Sequence, residues 1–245
     1  SRELFTQFLY RISKEFAKKN AHLCLYSTLK YINAKNDKKT RDSFFHYKFK
    51  RGFIFSIQHF CGAKGNFPVG FLIWSLSQKK ELQKQKIVVD VFNENYEKIG
   101  IKQIYDTENN IPITEWIDRY SNTHIMPPFK SAITFAGDNK DVRDRVAEGF
   151  LCSLSNKGND FQNQNSCFIL SAPYVSAGAF SVTPDNFEKS MVLHAVKKIP
   201  QATWENNRDQ FFAPVKNLSE NFITDCVLWS AFADSNYTVS LKDTQ

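Results

Sequence analysis

Apolar residues recur at helical spacing through the first stretch of the chain. Leu4, Phe5, Phe8, Leu9, Ile12 and Phe16 fall three or four apart, with Arg11, Lys14 and Lys18 between them, which predicts an amphipathic helix over residues 3–18. Residues 21–29 are short and apolar and read as a strand. Residues 33–39 are polar, and Asp37 stands where it can cap a second helix running towards Tyr47. Residues 53–57 and 69–76 read as two more strands; the second is almost wholly apolar and belongs inside a sheet. Between them lies a loop, residues 58–66, with two glycines. Residues 87–92 and 98–105 alternate as strands around Asn93-Glu94-Asn95, a hairpin turn.

This helix–strand–helix–strand–strand order fits the last third of a mixed α/β sheet. The loop before Val69 is too short for a parallel crossover, which takes about a dozen residues, so the final pair is expected to be antiparallel. The pattern changes around residues 106–112, dividing the chain into residues 1–108 and 109–245. In the second part Pro127-Pro128 marks a break and residues 166–171 a short strand. Thr183-Pro184 opens a helix reaching about Lys198, with Thr as cap and Pro in the first turn. Ser219 caps another, through Phe232. The second part is read as α+β.

Charge divides the same way. Residues 1–108 carry 20 Lys and Arg against 10 Asp and Glu, whereas residues 109–245 carry 12 against 15. A net of +10 on the first part, within +7 overall, points to a polyanionic partner. No apolar run approaches the ~20 residues of a membrane span. The chain opens on Ser1-Arg2-Glu3 with neither initiator Met nor signal peptide, so it is expected to start inside a longer product. The five cysteines form no CxxC pair and are expected to be buried thiols in a reducing cytoplasm. None of the five histidines has metal-ligand spacing, and no metal site is expected.

Candidate chemistry concentrates in His59-Phe60-Cys61-Gly62-Ala63-Lys64-Gly65-Asn66-Phe67-Pro68-Val69-Gly70-Phe71-Leu72-Ile73-Trp74. An aromatic residue, a glycine-bearing turn and a Lys precede a buried strand. Such a loop can hold Phe60 at a pocket mouth and offer Lys64 to a phosphate; alternatively Phe60 packs in the core and Lys64 is solvated.

In order and spacing, residues 3–74 resemble the later catalytic-domain motifs of gamma-class N6-adenine DNA methyltransferases, the restriction-modification type. Leu4-Phe5-Thr6-Gln7-Phe8-Leu9 resembles the family's helix after the catalytic tetrapeptide. Leu23-Cys24-Leu25-Tyr26-Ser27-Thr28-Leu29 resembles its next strand and loop, although the family usually has Pro at Ser27. Lys38-Lys39-Thr40-Arg41 resembles its basic helix, and residues 60–74 its aromatic loop and strand. The resemblance implies the C-terminal part of a Rossmann-like, S-adenosylmethionine-dependent methyltransferase sheet with an antiparallel final strand. It implies methyl transfer to the amino group of an extruded adenine, which cannot be reached inside a stacked duplex. It implies Phe60 as the stacking partner of that base, Lys64 on a nearby phosphate, and Lys35, Lys38, Lys39 and Arg41 on the backbone of double-stranded DNA. For these basic residues a solvated helix face is the plain alternative.

Two elements the family requires are missing from the sequence. There is no Asn/Asp/Ser-Pro-Pro-aromatic tetrapeptide and no GxG loop for close approach to a cofactor. The chain alone is therefore expected to bind no methyl donor and to catalyse nothing; an N-terminal methyltransferase segment would supply both, in cis or in trans. Ser171-Ala172-Pro173-Tyr174 approximates the tetrapeptide with one Pro missing and reads as an ordinary strand exit. Thr203-Trp204-Glu205-Asn206-Asn207-Arg208-Asp209-Gln210-Phe211 resembles a segment that follows the catalytic domain in related bacterial enzymes, which implies that residues 109–245 are a target-recognition or connecting domain. Asn206, Asn207 and Arg208 are candidates for reading base edges, or ties of a loop. The alternatives to an enzyme fragment are a non-catalytic DNA-binding or interaction subunit and a degenerate remnant of a restriction-modification system.

Overall fold

The computed structural model describes residues 3–16, 19–60, 63–104, 111–125, 145–176 and 178–238. Pro127-Pro128, Cys61 and Lys18 lie outside the described residues. The chain forms two compact units: Ser1–Asn110 with Ala202–Gln210, and Ile111–Gln201 with Phe211–Gln245. The change of pattern near residue 108 falls at the first crossing between them. The return at Ala202–Gln210 has no counterpart in a linear division of the sequence.

The first unit is a mixed α/β layer structure. Its elements are α1 (Leu4–Phe16), β1 (His22–Thr28), α2 (Lys30–Asn33), α3 (Lys38–Ser43), β2 (Tyr47–Ser56), β3 (Pro68–Lys79), β4 (Ile87–Phe92) and β5 (Lys98–Ile104). The five strands form one sheet in the order β1-β3-β2-β4-β5. β3 runs antiparallel to both β1 and β2, so those two are parallel to each other across it. β4 pairs parallel with β2 through Phe53↔Asp90 and Ile54↔Val91, and β5 closes an antiparallel hairpin. Thus β1, β2 and β4 all point the same way.

One face of the sheet is covered by the helices. Leu9 of α1, Tyr31 and Ile32 of α2, and Phe45 pack with Leu23, Ile54, Leu72 and Trp74 of the strands. The period-two alternation of a strand puts Leu23 and Leu25 on this face and Cys24 and Tyr26 on the other. The apolar stripe of α1 is wider than the sheet needs: Leu9 is buried, whereas Leu4 and Phe8 stay exposed. Asp37 occupies the cap position of α3 but makes no side-chain cap hydrogen bond, and the helix stops at Ser43 because β2 begins at Tyr47. The first half of β2 is irregular against β3, with register shifts at Tyr47/Lys48 and Phe49/Arg51. The buried Gln85 amide takes the place of a neighbouring strand there. Its oxygen accepts from Phe49 N at 2.9 Å and its nitrogen donates to Tyr47 O at 2.8 Å and Lys80 O at 2.9 Å.

The return segment completes this unit. Trp204 packs against its core. Lys102 of β5 reaches Asp209 at 2.8 Å and donates to the carbonyl of Glu205. Burial pushes the Asp209 carboxyl above its usual range, and Lys102 pulls it back.

The second unit holds α4 (Ile113–Trp116), the short pair β6 (His124–Ile125) and β7 (Arg145–Val146), β8 (Cys152–Asn156), β9 (Cys167–Leu170), β10 (Phe180–Val182), α5 (Phe187–Lys198) and α6 (Glu220–Phe232). β8 lies between β10 and β9, antiparallel to both. Leu154, Cys167, Ile169 and Val182 pack with Met191 and Leu193 of α5. Ahead of α5, Thr183 N donates to Asn186 Oδ1 at 2.9 Å, and Ser219 Oγ accepts from Phe222 N at the start of α6. Burial pushes the Cys152 and Cys167 thiols up to about 11. Cys24, by contrast, is exposed on the open sheet face. Among the described residues no helix is long and apolar enough to cross a membrane.

Candidate functional site

The face of the first sheet opposite its helices is aromatic. Tyr26 of β1 lies 4.5 Å, centroid to centroid, from Phe71 of β3. Phe71 lies 5.7 Å from Phe53 of β2, and Phe53 meets Phe92 of β4 edge-on at 5.6 Å. On β2 the residues Phe53 and Phe55 alternate with Ile54, which is fully buried among the helices. Strand geometry therefore sends the two phenyl rings to the side opposite the core.

The chain leaves β2 into a turn that extends this surface. Ser56 Oγ accepts from Gln58 N at 3.3 Å, starting a single turn of 3-10 helix over Ile57–His59. Ile57 N donates to Phe67 O at 3.1 Å and closes the base of the loop. Phe60 N donates back to Ile57 O at 3.0 Å. The His59 ring then stacks on Phe55 at 5.9 Å with only 13° between planes, and Phe60 lies 5.4 Å from Phe55. Phe60 itself is 44% exposed.

These side chains wall a cleft of about 460 Å³ whose far side is the β4–β5 turn, Asn93 and Tyr96. It opens beside the carboxyl ends of β2 and β4, the edge at which open α/β sheets bind ligands. Tyr26 also lines a second cavity, of about 520 Å³, at the carboxyl end of β1, with Glu3, Ser27, Thr28 and Asp37. Burial, helped by Glu3, pushes the Asp37 carboxyl above its usual range. Among the described residues no group of three or more His, Cys, Asp or Glu is placed to hold a metal ion.

Phe60 therefore stands at a cleft mouth and not in the core. Lys64 is exposed in the same loop. Lys35, Lys38 and Lys39 are exposed around α3, on the helical face of the sheet, and none of them lines the aromatic cleft. Lys38 pairs with Asp42 at 3.0 Å. Arg41 corrects the expectation of a backbone contact. It is 4% exposed, and its Nη1 donates to Ala34 O at 2.8 Å and Tyr31 O at 3.4 Å, so it ties α3 to α2.

The base-edge expectation for residues 206–208 is corrected in the same way. Asn206 Oδ1 accepts from Thr203 N at 2.8 Å and fixes a turn. Asn207 is half-buried, and its Oδ1 is buried without a hydrogen-bond partner among the described residues. Arg208 is 7% exposed, its guanidinium 4.9 Å over the ring of Phe67. That stacking braces the end of the loop that begins with Phe60. Ser171-Ala172-Pro173-Tyr174 is an exit from β9, with Tyr174 N donating to Ser153 Oγ at 3.0 Å.

The residues that sequence reasoning missed are Tyr26, Phe53, Phe55, Phe92 and Tyr96. The signal was present in part: aromatic side chains at alternate positions of a strand whose other face is already apolar. Comparison with known proteins finds no matching family model, no matching curated protein and no matching solved structure.

Proposed function

We propose that this chain is the later part of a DNA adenine-N6 methyltransferase of a restriction-modification system, and that its first unit receives the target base once that base has left the duplex. The observation that carries the reading is the half-exposed ring of Phe60 at the mouth of an aromatic cleft beside the ends of parallel strands. An extruded base loses its stacking neighbours, and an aromatic wall replaces them at about 1–3 kcal/mol per base. The strand order adds support. It is compatible with the Rossmann-like sheet expected from the resemblance, in that β3 runs antiparallel between the parallel strands β1 and β2.

S-adenosylmethionine does not fit the residues present. Its binding in this family needs a glycine where backbone approaches the cofactor. Here the glycines of the central strands are filled by their own neighbours: a Cβ at Gly52 would stand 2.5 Å from Leu72, and one at Gly70 2.8 Å from Leu29. Donor binding and transfer would belong to a segment carrying the tetrapeptide and the glycine loop, in cis or in trans. Within the chain, the residues' part is to hold the base and to attract its backbone through Lys64 and the exposed lysines 35, 38 and 39.

The test is binding of the chain to an oligonucleotide with one unpaired adenine. Phe60→Ala is expected to weaken binding about tenfold, within the range for one stacked base, and to leave thermal stability unchanged. Affinity should fall linearly with the logarithm of salt, and Lys39→Gln and Lys64→Gln should each reduce that slope by roughly 0.7–0.9. Unaltered affinity in Phe60→Ala, with folding intact, contradicts the assignment.

A further inference from the structure

We infer that Tyr96 is a second base-stacking residue of the aromatic cleft, so that an unpaired nucleobase is held by rings delivered from two separate loops. The inference rests on the base-receiving reading of Phe60 and extends it to an element that reading does not require, the β4–β5 hairpin.

Phe60 enters the cleft from the turn after β2, and Tyr96 enters it from the turn between β4 and β5. Tyr96 is 85% exposed and makes no ring–ring contact among the described residues, so packing does not account for an aromatic side chain there. Its backbone is also unusual. At φ 60° it is the one non-glycine residue with positive φ among those described. Gly or Asn would take this conformation at lower cost.

The turn is built to hold it. Asn93 Oδ1 accepts from Asn95 N and Glu97 N, both at 2.9 Å, and Asn93 Nδ2 donates to Glu97 Oε2 at 2.9 Å. Asn93 N donates to Glu97 O at 3.0 Å, and Tyr96 N to Asn93 O at 3.2 Å. Asn93 is thereby committed to the turn, and Phe92 beside it anchors the hairpin on Phe53. An exposed ring on a backbone of positive φ is thus presented at a cavity by a pinned turn.

The occupant follows from the chemistry of the wall and the charge around it. Seven of the eight lining residues carry a ring, which suits a flat heterocycle offering two π-faces. The excess of 20 basic over 10 acidic residues in positions 1–108 favours a ring attached to a polyanion. An unpaired base of a nucleic acid strand meets both requirements.

The experiment uses the full chain and a single-stranded oligonucleotide carrying one 2-aminopurine, following affinity and fluorescence quenching. Tyr96→Ala and Tyr96→Asn are expected to weaken binding about tenfold and to relieve quenching, while Tyr96→Phe behaves as wild type. Asn retains the left-handed preference, so its effect reads the ring and not the turn. Wild-type behaviour in Tyr96→Asn, beside weakened binding in Phe60→Ala, overturns this inference and leaves the Phe60 reading standing. Absence of quenching by the wild-type chain, or quenching untouched by Phe60→Ala, sinks the base-receiving reading and this inference with it.

Discussion

Replacing Trp74 by Ala is expected to destabilise the first unit by about 3–5 kcal/mol, the range for deleting a buried large aromatic side chain. Trp74 is fully buried in β3, between the sheet and its helices. Phe45 meets it edge-on at 5.1 Å, Phe49 at 5.4 Å and Tyr31 at 6.1 Å. Its Nε1–H donates to the Tyr31 hydroxyl at 3.1 Å. Burial pushes the Tyr31 phenol well above its usual range, so that hydroxyl stays protonated and depends on such partners. Trp74→Ala removes the contacts and leaves a buried hydroxyl short of a partner, whereas Trp74→Phe loses the hydrogen bond but keeps part of the volume and should cost less. With two compact units, a single unfolding midpoint would blend two events, so the readout is amide exchange in β1–β3 under increasing urea. A loss under about 1 kcal/mol would mean that this ring is not the centre of the core.

The second unit is expected to lose about 3 kcal/mol of stability between pH 6.5 and 4 through one histidine. His194 of α5 is fully buried, and its pKa is lowered to about 4, mainly by burial, then by Lys198, with Asp234 opposing. Its Nδ1 lies 3.0 Å from Ser230 Oγ and its Nε2 3.0 Å from Ser235 Oγ. Ser230 spends its own hydrogen on Met191 O at 3.2 Å, so Nδ1–H donates to Ser230 and Nε2 accepts from Ser235. The sign follows from the lowered value. The unfolded chain takes up a proton near pH 6.5 and the folded chain does not, so stability is full above that pH and falls as pH drops towards 4. His194→Gln should flatten the stability–pH curve of this unit over that window relative to wild type. Equal slopes in the two proteins would remove His194 as the cause.

Much of the first unit was legible because its signals are local. The strand pattern of residues 87–92 coincides with β4, and Asn93-Glu94-Asn95 lies in the turn that follows. Ser219 opens α6 because its Oγ, one residue ahead of the helix, accepts from the backbone N–H of Phe222, whereas Thr183-Pro184 leads into a 3-10 turn over Pro184–Asn186 before α5 begins at Phe187. The first half of β2 was not legible: the expected helix ran towards Tyr47 and the expected strand began at residue 53, and Lys48, Lys50 and Arg51 break any apolar alternation between them. Its pairing there depends on Gln85, 36 residues from Phe49 along the chain. The basic residues illustrate the same limit. Lys39 and Arg41 are two positions apart on one short helix, yet one is exposed and the other buried on the carbonyls of α2. Charge alone does not distinguish a phosphate contact from a helix tie. For the candidate site, the sequence singled out Phe60 but not its company, because the cleft joins β1, β2 and a distant hairpin that come together only across the sheet.

The most direct test of the aromatic cleft is photochemical. An oligonucleotide carrying 5-iodouracil at one unpaired position is bound to the chain, irradiated, and the attached peptide identified by mass spectrometry. Stacking tolerates any base, so the halogenated ring reports on the same wall. Attachment should map to Phe60 or Tyr96 and be lost in the double variant lacking both rings. Attachment confined to the α3 lysine helix or to the second unit, with the cleft peptides unmodified, would contradict the account.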